Sequence, residues 1–146
     1  MDIKERCISK KEYLKRDDSN VGYALHVQNN IKKDDYARLN IGEIVKVTGI
    51  RENQVDKKAI YFGIYDDDWC NSAAVENFSE NIIDLIEVGD IVNGRLVLQV
   101  DYKKQNVCLL IPLTDTKANT NIMWYGYEDI RTILTHEQFV ANCYKV

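Results

Sequence analysis

Short runs of branched and aromatic residues alternate along this chain with polar stretches too short to be domains of their own. Val21-Gly22-Tyr23-Ala24-Leu25-His26-Val27, residues 40–50 and Lys58-Ala59-Ile60-Tyr61-Phe62-Gly63-Ile64-Tyr65 each read as strands. Residues 107–111, 122–125 and 129–134 follow the same pattern, and Pro112 stops the first of these because it cannot donate to a ladder. The best turn signal is Asn93-Gly94, set between Asp90-Ile91-Val92 and Arg95-Leu96-Val97; an Asn-Gly pair tolerates positive φ at both centres of a hairpin turn. Three short helices are predicted. Ser9-Lys10-Lys11-Glu12 is a capping box that opens one as far as Arg16, and Thr135 with Gln138 opens another over 136–142. Between them, Phe78, Ile82, Leu85 and Ile86 fall at about helical spacing, so 77–86 reads as a short helix or 3₁₀ piece. Residues 69–74 read as irregular or a short helical turn, and the polar runs at 17–20, 29–35, 51–54, 66–68, 101–106 and 114–120 read as loops. The fold class is therefore mainly β (a β-rich α+β chain), with antiparallel meanders forming one or two small SH3-like barrels and short helices.

Two stretches echo one another. Ile41-Gly42-Glu43-Ile44-Val45 matches Val88-Gly89-Asp90-Ile91-Val92 in residue type, and Val55-Asp56-Lys57-Lys58 echoes Val100-Asp101-Tyr102-Lys103-Lys104. Gly permits a tight bend, the acid can bond turn amides, and the branched pair starts a core strand. Two readings stand side by side: one compact domain over 1–146, in which any two meanders look alike, or two SH3-like halves at about 20–78 and 79–146.

Composition narrows the classes. With 146 residues, 45% hydrophobic and 29% charged, the chain can bury its own core without staples. A net charge of −4 counts against tight, phosphate-driven nucleic-acid binding. No apolar run approaches membrane-spanning length and the N-terminus is charged, so a cytoplasmic protein with no membrane partner is expected. Cys7, Cys70, Cys108 and Cys143 form no CxxC and read as small buried thiols rather than a zinc set. No cofactor or metal is expected.

Candidate chemistry is sparse. His26 and His136 are the only histidines, and neither has a neighbouring nucleophile that a general base would serve. Asp66-Asp67-Asp68 lacks the spacing of a calcium loop and reads as a solvated hairpin end. Aromatic residues gather twice, at Tyr61, Tyr65 and Trp69 and at Trp124, Tyr125 and Tyr127, with the pairs Lys57-Lys58 and Lys103-Lys104 nearby. Such aromatics in small β domains are more often core and rim, and such lysines more often solubilise turns. As a functional set they define a partner-binding face of Tyr61, Tyr65, Trp69, Lys57, Lys58, Lys103, Lys104, Trp124 and Tyr125, with Tyr61 and Tyr65 on one face of a strand.

Residues 79–94, with 129–139 and the closing Tyr144-Lys145-Val146, resemble a family of small proteins of unknown function encoded by phages and prophages of Firmicutes. Members carry an NIIDLIEVGDIVNG-like segment and an ILTHEQF…YKV-like C-terminus. The likeness covers about the last half of the chain, and the first half departs most at 29–38. It implies a phage accessory gene, a class whose products commonly bind and inhibit host factors, defence systems among them. The expected function is thus non-enzymatic: binding and inhibiting or sequestering a host component, either a defence protein or a small nucleotide signal. A homo-oligomer is compatible with this. The alternative is a nucleic-acid-binding SH3-like module using the aromatic-and-lysine face. A Cys-dependent enzyme is disfavoured, since no Cys has a sequence neighbour able to lower its pKa.

Overall fold

The structure is a computed structural model that describes residues 3–52, 58–111 and 121–141. It is mainly β, with two five-stranded antiparallel sheets and a few short helices. Two units divide the chain: one takes Met1–Asn40 and Ile44–Asn81, the other Ile41–Glu43 and Ile82–Val146.

The first unit begins with α1 (Ile3–Arg6), α2 (Lys10–Arg16) and α3 (Asn20–Asn30). Its strands are β1 (Tyr36–Leu39), β2 (Ile44–Arg51), β3 (Ala59–Phe62), β4 (Asp68–Cys70) and β5 (Val75–Ser79), in the order β4-β3-β2-β1-β5. Ser9 caps α2 as the sequence predicts, its Oγ accepting from the Glu12 N–H at 3.2 Å. Residues 21–27, expected as a strand, are instead the middle of α3. Ser19 accepts from the Gly22 N–H at 2.9 Å and starts that helix. Tyr23 and Val27, one turn apart, then bury in the core with Ile31 just beyond. The helical period was hidden because Val21, 79% exposed, and Leu25 point outward and fill in the apolar run. The helix or 3₁₀ piece expected over 77–86 is corrected in its first part. Val75–Ser79 is a strand paired with β1, which sends Phe78 into the core opposite Ala37, and only Ile82–Leu85 is a 3₁₀ turn. Residues 69–74 likewise divide into the end of β4 and a 3₁₀ turn at Ser72–Ala74.

The second unit holds β6 (Ile91–Val92), β7 (Arg95–Asp101), β8 (Asn106–Leu110), β9 (Ile122–Gly126) and β10 (Ile133–Leu134), in the order β10-β6-β7-β8-β9, and closes with α4 (His136–Ala141). Ile83, Ile86, Val92, Val97, Val107 and Leu109 form its core. Thr135 and Gln138 cap α4 reciprocally, with the Thr135 N–H donating to Gln138 Oε1 at 3.0 Å and the Gln138 N–H to Thr135 Oγ1 at 3.4 Å. The strand expected over 129–134 shrinks to its last two residues. The Asn93 side chain takes up the backbone ahead of them: its Nδ2 donates to the Asp129 carbonyl at 2.7 Å, and its Oδ1 accepts from the Arg131 and Thr132 N–H groups at 2.7 and 3.1 Å. Asn93 and Gly94, at φ +52° and +77°, form the predicted hairpin turn. A Cβ on Gly94 would meet nothing within 4 Å, so Gly94→Val should cost only the left-handed strain, about 1–2 kcal/mol. Urea unfolding measures it, and a cost above that range would reveal a contact absent here.

The two sheets repeat one plan. In each, the first strand lies between the second and the fifth, and a 3₁₀ turn precedes the fifth. The registers agree as well. Val47 pairs with Phe62, a bulge follows, and Gly49 pairs with Tyr61; Val97 pairs with Leu109, a bulge follows, and Gln99 pairs with Cys108. The lead-in repeats too. Asp34 (φ +74°) and Gly89 (φ +96°) donate to the Val47 and Val97 carbonyls, and the next residue is a buried aspartate, Asp35 or Asp90. Each aspartate accepts from the N–H three residues back, Lys32 or Glu87, at 2.8 Å. The echo of 41–45 with 88–92 is therefore corrected in register: the counterpart of Gly89-Asp90 is Asp34-Asp35, while Gly42 lies between β1 and β2. The echo of 55–58 falls mostly outside the described residues.

Candidate functional site

Along β3, Ile60 and Phe62 point into the core, which leaves Tyr61 on the outer face. Tyr61 pairs with Trp69 on β4 and with Gly49 on β2. Gly49 puts no side chain beside the ring; the nearest atom to a Cβ there would be an Asp66 carboxylate oxygen at 3.5 Å. The Arg51 guanidinium lies 4.8 Å from the Tyr61 ring centre and pairs with Asp66, which also accepts from Thr48 Oγ1. Asp66 is thus a structural anchor at the foot of this face, not part of a freely solvated acidic loop. Trp69 is 49% exposed.

Tyr65 does not share the strand face of Tyr61, contrary to the expectation. β3 ends at Phe62, Gly63 turns the chain at φ +94°, and Tyr65 is 87% exposed in the turn that follows. Lys58 stands just before β3 and is half-buried, and Lys57 lies outside the described residues.

In the second unit Trp124 on β9 pairs with Cys108 on β8 and is 44% exposed. Leu110 and Ile122 pair directly beside it, and with Leu98 at the bulge of β7 they leave apolar side chains exposed. Tyr125 is corrected from surface to packing: it pairs with buried Val107 and rests on the core. Lys103 and Lys104 are exposed in the β7–β8 turn, where the Lys104 N–H donates to Asp101 Oδ1 at 3.0 Å.

The predicted set therefore divides between the units, with Tyr61, Tyr65, Trp69 and Lys58 in one and Trp124, Tyr125, Lys103 and Lys104 in the other. What unites part of it is the repeat. Trp69 faces Tyr61, and Trp124 faces Cys108, at the same register position, so the only two tryptophans of the chain occupy one equivalent place. The spacing from Trp69 to Trp124 equals that from Asp35 to Asp90, which is the signal in the sequence that would have exposed the true register.

Two of the polar candidates, His26 and Cys7, settle into structural roles. His26 lies on α3 with Nε2 2.9 Å from the Arg6 carbonyl and its ring stacked near Tyr23. Burial pushes the Cys7 thiol up to about 11, against the opposing pull of Arg6, so Cys7 is no activated nucleophile. Among the described residues no helix is long and apolar enough to cross a membrane. No family model, curated protein or solved structure matches this chain.

Proposed function

We propose that this is a non-enzymatic, phage- or prophage-encoded accessory protein that binds one host protein stoichiometrically and so inhibits or sequesters it. The observation that carries this reading is the outer face around Trp124, where Leu98, Leu110 and Ile122 stay exposed on a sheet that already has a separate core. A contiguous apolar face of this kind is the usual mark of a protein contact, and tryptophan is the most frequent anchor of such contacts. The segments resembling phage and prophage proteins supply the setting, and the net charge of −4 favours a protein over nucleic acid as the partner. A nucleic-acid reading has one specific support, the Arg51–Tyr61–Trp69 arrangement, which offers a cation beside stacking rings. It is weakened because Arg51 already pairs with Asp66.

The test is a pull-down from host lysate followed by calorimetry with the purified partner. Trp124→Ala should weaken a one-to-one complex by about 2 kcal/mol or more, roughly thirtyfold, while melting like wild type. Equal affinity of wild type and Trp124→Ala for that partner would remove the face from the interface. Self-association that Trp124→Ala abolishes would make the occupant a second copy, and a salt-dependent shift on DNA or RNA would restore the nucleic-acid reading.

A further inference from the structure

A side-chain cluster at the start of α4 is not used by the proposed binding face. His136 Nε2 lies 3.2 Å from Glu87 Oε2 and 2.5 Å from Glu137 Oε1. One ligand atom from each of the three residues lies within 4.8 Å of the others. Two carboxylates thus converge on a single ring nitrogen, which has at most one proton to offer.

The backbone beneath is organised by a third acid. Fully buried Asp90 accepts from the Glu87 N–H through Oδ2 at 2.8 Å and from the His136 N–H through Oδ1 at 2.9 Å. One carboxylate therefore fixes the backbone from which two of the three side chains project. Gly42, at φ +94°, leaves space for the third: a Cβ there would lie 2.7 Å from Glu137 Oε2. The repeat shows that the fold itself does not require this cluster. In the first unit the residue at the place of Glu87 is Lys32, and the partner of the buried aspartate is Arg6.

We propose that Glu87, His136 and Glu137 bind a divalent transition-metal ion, zinc being the best fit, as a clip between the start of the second unit and its closing helix. The donor set suits such an ion: one imidazole nitrogen and two carboxylate oxygens, with room on the solvent side for water as a fourth ligand. Zinc about 2.1 Å from each ligand in tetrahedral array wants ligand atoms about 3.4 Å apart. The Glu87–His136 separation, 3.2 Å, is already near that, and Glu137 Oε1, at 2.5 Å from the ring nitrogen, would move away from it by about an ångström as the three side chains settle round the ion. The ion would join residues 49 positions apart in the chain, so its effect is to close a long loop.

The test uses the reduced, metal-free protein with Co²⁺ and Zn²⁺ alone as probes. One equivalent of Co²⁺ should bind with the weak visible bands of nitrogen and oxygen ligation and no thiolate charge-transfer band. Zn²⁺ should raise the melting temperature by several degrees. His136→Ala and Glu87→Gln should each weaken Co²⁺ binding at least about tenfold and abolish the zinc-dependent rise. If His136→Ala fails to fold, Glu87→Gln, which retains the N–H bonded to Asp90, carries the test alone. No binding up to millimolar Zn²⁺, a thiolate spectrum, or equal affinity in wild type and Glu87→Gln overturns the proposal and leaves a hydrogen-bonded surface cluster.

Discussion

Arg6→Met is expected to destabilise the first unit by about 3–5 kcal/mol, the usual loss when one partner of a buried ion pair is removed. The Arg6 guanidinium grips Asp35 with both ends, Nη1 to Oδ2 at 2.6 Å and Nη2 to Oδ1 at 3.1 Å, and Nη1 also donates to the Asn30 carbonyl at 3.0 Å. Both side chains are almost wholly buried. Methionine fills much of the space but leaves a buried carboxylate whose remaining bond is the Lys32 N–H. The size of the effect comes from that stranded charge more than from the lost attraction, so the double variant Arg6→Met/Asp35→Asn should recover a good part of it. Urea unfolding of the two variants measures both effects. A cost below about 1 kcal/mol for Arg6→Met would mean that water reaches Asp35 and that the pair is peripheral.

Asp90→Ala should cost the second unit a comparable amount, about 2–5 kcal/mol, by a different route. This aspartate gathers the N–H groups of Glu87 and His136, each worth about 1–3 kcal/mol when left without an acceptor. Asp90→Asn keeps one oxygen and should lose about half as much. Amide hydrogen exchange gives the local readout, since the Glu87 and His136 amides should exchange faster in Asp90→Ala. If they stay as protected as in wild type, Asp90 does not hold α4 in place. The buried aspartate of the repeat thus accepts from a side chain of α1 in the first unit and from a backbone N–H of α4 in the second.

Signals local in the sequence were legible. Turn chemistry at Asn93-Gly94, the caps at Ser9 and Thr135, and the short branched runs together yield the mainly β class, because each depends on residues within a few positions. What failed depended on distant partners. Tyr23 and Val27 form a helix face only because a sheet lies beneath them, while Val21 and Leu25, turned outward, make the same residues resemble a strand. Phe78 has helical spacing to Ile82, yet its pairing across from Ala37 decides for strand. Gly-acid similarity points to the wrong register of the repeat, whereas the structure keeps its register through the buried aspartates and the bulges, where Asp34 and Gly89 share a backbone conformation but no side-chain likeness. The aromatic set was visible as composition, but nothing in the residues separates outward Trp124 from inward Tyr125 until the strand's alternation is fixed. The meeting of Glu87 with His136, 49 positions apart, leaves no local trace in the sequence.

The equivalent seating of Trp69 and Trp124 gives the chain one tryptophan per unit and no others, so that excitation at the red edge of the indole band, beyond tyrosine absorption, reports each unit through one side chain. Changing either to phenylalanine leaves emission from a single unit, without any attached dye. Because each indole is about half exposed, its spectrum responds both to loss of structure and to anything that covers it. The pair of single-tryptophan chains can therefore distinguish concerted from stepwise melting, and can show which half a ligand shields, in one optical measurement.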